Sequence, residues 1–394
     1  MPLTAAEQDL LKRSTMFRRQ TAWSVVARVV AEVQPTPADH ATEITIPRWM
    51  TWYGKDDLER IFTKAFTSLS PASRRARAPI PEDQVRAAEV WVAEQLQYLP
   101  QWTPERRSRL LASLSDHEAW RGATGLNRTL FAPATTSHLV TSYQKISECD
   151  QNADGHSEAC LQAKFPADAV AVKTQWTRRG STFPVAVFDT NSNSLRERLG
   201  DHGRSWDFPD RFLPDIAGRS LALKLAPTAQ FDLTGLHIMT KESEDWLWIS
   251  LWWSEKPDED FGADRPEALA HGPWSNYKMC VTGSFEESPE DDSDLLASFP
   301  SLGSAILASR GTSGLSWCSN PYLEKGTGNQ KTNCIGCHQH AGTSIEQTDI
   351  LGSTNHGRGR ILRDFPADYL WSLNFGTEKI SHMLSERVRY HSGN

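Results

Sequence analysis

The spacing of apolar residues changes period along the chain. Leu58, Ile61, Phe62, Ala65 and Phe66 recur with the spacing of one helix face, and Asp56-Asp57 stands where an N-terminal cap belongs. Pro81-Glu82-Asp83 opens a second helix that carries Val85, Ala88, Trp91, Val92 and Leu96 and stops at Pro100. Thr103-Pro104-Glu105 opens a third, through Leu110 and Leu111. At the start, Thr4-x-x-Glu7 ahead of Leu10 and Leu11 reads as a capping box.

From residue 170 the period falls to two. Val170, Val172, Thr174 and Trp176 alternate with Ala171, Lys173 and Gln175, which predicts a half-buried strand. Phe183 to Phe188 reads as the next. Leu236–Thr240 and Trp246–Trp253 read as two strands joined by the polar stretch Lys241 to Asp245. The second is apolar on both faces, with Trp246, Trp248 and Trp252 on one and Leu247, Ile249, Leu251 and Trp253 on the other. Such a strand belongs inside a sheet that is covered twice. Short helices follow around Ala367–Leu373 and Glu378–Val388. The fold class predicted is α+β. Its three parts are a helical region over 1–130, a β-rich region over 131–300 and a C-terminal region over 301–394.

The last region holds Cys334-Ile335-Gly336-Cys337-His338, the C-x-x-C-H pattern of covalent haem c attachment. Two thiols add across the vinyl groups of one porphyrin, and the two-residue spacer sets both sulfurs along one edge. The histidine that follows is aimed at the iron. Two other uses of the pattern compete. A redox dithiol wants a strand before it and a long helix after it, but KGTGNQKTN precedes this one. A structural zinc site could draw on Cys318, Cys334, Cys337 and His340. The remaining cysteines are Cys149, Cys160, Cys280 and Cys318. The pairing favoured here is Cys149 with Cys160 and Cys280 with Cys318, which implies an oxidising compartment; four free thiols are the alternative.

What a haem would do depends on the iron's other axial position. Met383 lies several tens of residues after the motif, as a distal methionine does in small cytochromes c, but it shares a helical stripe with Ile380, Leu384 and Val388. His237 and Met239 lie two apart on a predicted strand and so face one side of it. His138, His340, His356 and His382 are further candidates, and an open position is the last. Arg358 and Arg360, with Arg363, offer guanidinium forks for the haem propionates. Asp150-x-Asn152-x-Asp154-Gly155 resembles the first half of a calcium loop, but Leu161 stands where the bidentate Glu belongs, so an ordinary EF-hand is excluded.

Charge and composition narrow the class. A net charge of -7 disfavours nucleic acid as a partner. No apolar run is long enough to span a membrane. Fifteen tryptophans are an excess that suits a large apolar cofactor as well as a core. Phe285 to Asp294 is an acidic run, read as a solvated loop or as a docking patch for a basic redox partner. The start has no basic n-region, apolar h-region or cleavage site. With the cysteine usage, that favours a periplasmic or secreted protein whose export signal has been removed over a cytosolic one.

The stretches Ala171-Val172-Lys173-Thr174-Gln175-Trp176, Gly235-Leu236-His237-Ile238 and Trp246-Leu247-Trp248, followed by Asn333 to His338, resemble exported bacterial "cytochrome c family" proteins. The resemblance covers roughly residues 165 to 340. It implies haem c, export and a β-rich middle, and no substrate. Members often carry a second, more N-terminal C-x-x-C-H, which is missing here. The functional expectation is a monohaem c-type cytochrome moving single electrons. A haem peroxidase or oxygenase acting on a small-molecule substrate through an open distal site is the first alternative, and a zinc-stabilised binding protein the second.

Overall fold

Thr4 and Glu7 close the capping box that opens the first helix, Ala5–Arg13: Thr4 Oγ1 accepts from the Glu7 N–H at 3.3 Å and Glu7 Oε2 accepts from the Thr4 N–H at 2.8 Å. The computed structural model describes residues 3–33, 45–97, 125–149, 164–180, 183–226, 229–287, 292–310, 316–343, 359–362, 365–373 and 379–393. The predicted helix through Leu110 and the calcium-like loop at Asp150, Asn152 and Asp154 lie outside these residues. So do Cys160, His356, Arg358 and Arg363, and nothing is described of the Cys149 side chain.

The helix Lys55–Ser68 buries the five apolar residues that predict it, Leu58, Ile61, Phe62, Ala65 and Phe66. Its cap is Gly54 rather than Asp56-Asp57. Asp57 instead reaches back and accepts from the Gly54 N–H at 3.0 Å, satisfying a donor that the helix leaves unpaired. The helix Glu82–Gln97 buries Val85, Ala88 and Val92.

Strands come next, and the architecture is α+β. In chain order they are β1 (Glu32–Val33), β2 (Ile46–Pro47), β3 (Gly125–Phe131), β4 (Val170–Arg178), β5 (Val185–Val187), β6 (Arg211–Leu213), β7 (Ala222–Ala226), β8 (Ala229–Thr240), β9 (Leu247–Trp253) and β10 (Tyr277–Thr282). The main sheet runs β10-β9-β8-β4-β3, antiparallel throughout, with β7 also paired to β8. β5 and β6 form a separate two-stranded antiparallel sheet, so the strand predicted at Phe183–Phe188 is present but lies outside the main sheet. β9 is buried at every residue and lies between β8 and β10, as its two apolar faces require. Trp246 stands just outside β9 at φ 63°.

One sheet face, with Val172, Leu236, Ile238, Ile249, Leu251 and Met279, packs into a large core shared with the helix Thr15–Val30. The other face is divided. At one end Phe131, Ala171, Met239 and Trp248 join a second core with the helices Lys55–Ser68, Pro133–Thr141 and Ile380–Ser392. At the other end Trp252 packs on Trp317 with ring centroids 6.0 Å apart. Between the two ends runs a row of cross-strand neighbours in register: Thr129, Lys173, His237, Ser250 and Cys280. None of these is an aliphatic or aromatic core residue.

The chain after residue 316 covers part of this row. Cys318 is disulfide-bonded to Cys280, with the sulfurs 2.17 Å apart. Asn320 Nδ2 donates to Ser250 Oγ at 2.9 Å and to the Leu251 carbonyl at 2.8 Å. A Cβ at Gly235 would stand 3.1 Å from Asn320 Oδ1, so glycine there admits this close approach. The acidic run is not wholly solvated: Glu287 is buried, faces Arg18 at 3.5 Å and accepts from the Gly283 N–H at 2.7 Å. Cys280 and Cys318 close a loop of 38 residues, so replacing both with Ala is expected to cost up to about 4 kcal/mol through the unfolded chain. A urea denaturation midpoint that the double variant leaves unmoved would show that the bond does not constrain the unfolded chain.

Candidate haem-attachment site

Asn333 begins the site. Its Oδ1 accepts from the Gly336 N–H at 2.8 Å, capping the short helix Cys334–His338. Asn directly before the motif is a helix-start signal legible in the sequence. Gln339 closes the other end: its Nε2 donates to the Gly336 carbonyl at 2.8 Å and the Gly359 carbonyl at 2.9 Å, and its Oε1 accepts from the Ile361 N–H at 2.8 Å. The returning chain is thereby tied to the motif.

The helix faces the uncovered part of the polar row. A cavity of about 420 Å³ lies between them, lined by Thr129, Lys173, His237, Met239 and Trp248 from the sheet and by Cys334, Cys337 and His338 from the helix. That volume falls within the roughly 300–1,000 Å³ of cofactor and ligand sites. Leu323, Glu324 and Lys325 form one side wall; Leu370, Trp371, Ser372 and Lys379 form another.

His338 Nδ1 donates to the Tyr369 carbonyl at 2.8 Å. A carbonyl only accepts, so the proton sits on Nδ1 and the Nε2 lone pair is left for a ligand. The ring lies 4.5 Å from the Trp248 ring centroid. Burial, aided by His237 and Lys173, pushes the imidazole down to about 3 against the pull of the Tyr369 bond, so the ring is neutral, as a metal ligand must be.

Cys334 and Cys337 are free thiols, partly accessible from the cavity. Burial raises both, with Glu324 adding to it: Cys337 to about 12 and Cys334 well above an ordinary thiol. A redox dithiol needs the opposite shift. The zinc set has lost a member, because Cys318 is bonded to Cys280. His340 is buried with neither ring nitrogen hydrogen-bonded, and it does not line the cavity. Among the described residues, no group of three or more His, Cys, Asp or Glu is arranged to hold a metal ion. Two free thiols and a neutral histidine with a free Nε2, all on one cavity, fit covalent haem c.

The other sequence candidates separate. His237 and Met239 are on the cavity wall; Met383 is buried in the helical core beside Leu384 and Val388 and does not line it. His237 Nε2 stands 2.9 Å from Glu324 Oε1, and the Asn320 N–H holds the other Glu324 oxygen. Arg360 also lies off the cavity: its guanidinium is 5.4 Å over the Phe365 ring and donates to the Leu362 carbonyl at 3.3 Å. The cations that do line the cavity are Lys173, Lys325 and Lys379. Sequence reasoning missed these lysines, Glu324 and Tyr369, because Lys173 comes from a distant strand, Tyr369 and Lys379 from the chain beyond the motif, and Glu324-Lys325, although close to Cys334, carry no spacing that marks them. His138 packs on Phe165 at 4.4 Å, away from the cavity.

No family model, characterised protein or solved structure matches this chain.

The raised thiols generate a direct test. In the haem-free chain, alkylation by iodoacetamide at about pH 7 is expected to be much slower than in the urea-unfolded chain. For Cys337 it should rise about tenfold per pH unit toward about 12. Fast alkylation of the folded chain near neutral pH would instead favour the redox-dithiol reading.

Proposed function

We propose that this chain is an exported monohaem c-type cytochrome that transfers single electrons. The observation that carries the reading is the joint placement of two free thiols and an Nδ1-bonded, neutral His338 on one cavity. When bound, haem c supplies an iron that changes oxidation state by one electron. The chain's own residues hold and shield it. Cys334 and Cys337 would hold the haem through two thioether bonds, and His338 Nε2 would bind its iron. Lys173, Lys325 and Lys379 supply positive charge for the propionates. Trp248, Met239 and Leu370 exclude water from the inner wall. His237 and Met239 are the further donors on the sheet side of the cavity that could hold the iron.

The Cys280–Cys318 bond supports an oxidising compartment, and hence export. No helix among the described residues is long and apolar enough to cross a membrane. A redox protein is the expected partner, because Lys173 and Lys325 leave one edge of the cavity exposed to solvent. One observation favours a second reading, that of a haem enzyme. The His237–Glu324 pair on the cavity wall is the type of dyad that moves protons to and from a small bound substrate.

Expression with haem-maturation machinery followed by a pyridine haemochrome assay tests the haem reading. One covalent haem per chain is expected, lost when Cys334 and Cys337 are both changed to Ala; a colourless wild-type protein would sink the reading. Carbon monoxide then separates the two functions. The electron-transfer reading expects ferrous protein to bind it poorly, and His237→Ala or Met239→Ala, whichever removes the ligand, to admit it. Ready binding by the wild type would favour the enzyme.

A further inference from the structure

His338 is oriented by a main-chain carbonyl, so its geometry depends on where the backbone at Tyr369 lies. That backbone is in an unfavourable conformation. Asp368 and Tyr369 have φ of 42° and 70°, two consecutive residues with side chains in the left-handed region. Such a turn persists only when its surroundings hold it.

The holding contacts come from the connection between β8 and β9. Lys241 Nζ donates to both carboxylate oxygens of Asp368, each at 2.9 Å, and to the Glu244 carbonyl at 2.7 Å. Lys241 also lies 5.0 Å from the centroid of the Trp246 ring. Asp368 Oδ2 accepts from the Phe165 N–H at 3.1 Å, so two partners fix this carboxylate through three hydrogen bonds. Tyr369 is fixed separately. Its hydroxyl donates to Asp245 Oδ1 at 2.9 Å, and its ring stacks on Phe365 at 4.3 Å and meets the edge of Trp248 at 5.9 Å. Lys241 and Asp368 are both buried, so the pair is shielded from water and salt.

We propose that Lys241, Asp368 and Tyr369 are positioning residues: they clamp the left-handed turn so that the Tyr369 carbonyl holds His338 in its Nδ1–H tautomer, with Nε2 free, and sets the basicity of that nitrogen. The same sheet that supplies the cavity wall thus also aims the histidine across from it. The tautomer claim stands on the chain alone; the claim about basicity at the iron rests on the haem reading. A hydrogen bond to the far nitrogen of a ligating histidine makes it a stronger donor, which favours the oxidised metal.

The test uses the full chain, expressed with haem-maturation machinery, and three variants. Asp368→Asn removes the ion pair but keeps a residue type tolerant of a left-handed φ. Lys241→Gln/Asp368→Asn restores a neutral hydrogen-bonded pair, and Tyr369→Phe removes only the hydroxyl contact. In haem-bearing protein, Asp368→Asn is expected to split or broaden the ferric electron paramagnetic resonance signal and to raise the reduction potential. Haem content should stay unchanged, and the double variant should return one sharp species. Tyr369→Phe should give the same effect to a smaller extent. ¹⁵N-histidine nuclear magnetic resonance should show His338 as a single Nδ1–H tautomer in wild type and as a mixture in Asp368→Asn. If the wild type carries no haem, the haem reading fails while this measurement on the haem-free chain still decides the clamp. An Nε2–H tautomer in wild type overturns the proposal. So does a single tautomer in both Asp368→Asn and Tyr369→Phe with signal and potential unmoved. If Asp368→Asn does not fold, Tyr369→Phe and the double variant carry the same comparison.

Discussion

Five side chains in register across the main sheet, Thr129, Lys173, His237, Ser250 and Cys280, set the problem that the rest of the structure answers. A sheet face buried on both sides of such a row cannot be sealed by aliphatic packing alone, because polar groups taken from water need partners. Two of the five are satisfied by the segment after residue 316, Cys280 through its bond to Cys318 and Ser250 through Asn320. The other three remain facing a cavity, and the C-x-x-C-H helix is laid over it. The disulfide is therefore more than a staple. It fixes where the attachment segment begins relative to the sheet.

Burial then shapes the chemistry of the helix. Desolvation keeps the thiols protonated and the histidine neutral, and the Tyr369 carbonyl selects which nitrogen carries the proton. These conditions oppose thiolate redox chemistry and suit a group attached once and kept. The cations at the cavity are lysines on three separate segments, and Arg360 is not among them. The guanidinium of Arg360 is taken up by the Phe365 ring and the Leu362 carbonyl.

Much of the fold was legible in periodicity. The helix Lys55–Ser68 and strands β4 and β9 follow it closely, because one buried face imposes its period on the residues that form it, while β8 begins seven residues before the predicted Leu236–Thr240. The strand predicted at Phe183–Phe188 is present as β5, but its pairing with β6 was not legible because a short apolar run does not specify its partner. Glu287 escaped notice within an acidic run because its burial depends on Arg18, far away in the chain. At the site, the motif and the pairing of His237 with Met239 on one face were readable, since both are local spacings. Met383 and Arg360 were drawn in by nearness in sequence, which the packing of the helix Ile380–Ser392 and of the Phe365 ring overrides.

The sequence by itself determined the α+β class, the doubly covered strand and the identity of the two thiols and the histidine. These follow from nearest-neighbour spacing, which the backbone geometry of helix and strand reads directly. Only the tertiary structure decided which groups face His338. The register of β4 on β8 brings Lys173 and His237 side by side, and a turn held by a buried ion pair from another loop brings Tyr369 to the imidazole. Contacts between residues more than a hundred positions apart, as Lys241 and Asp368 are, leave no periodic trace in a single chain.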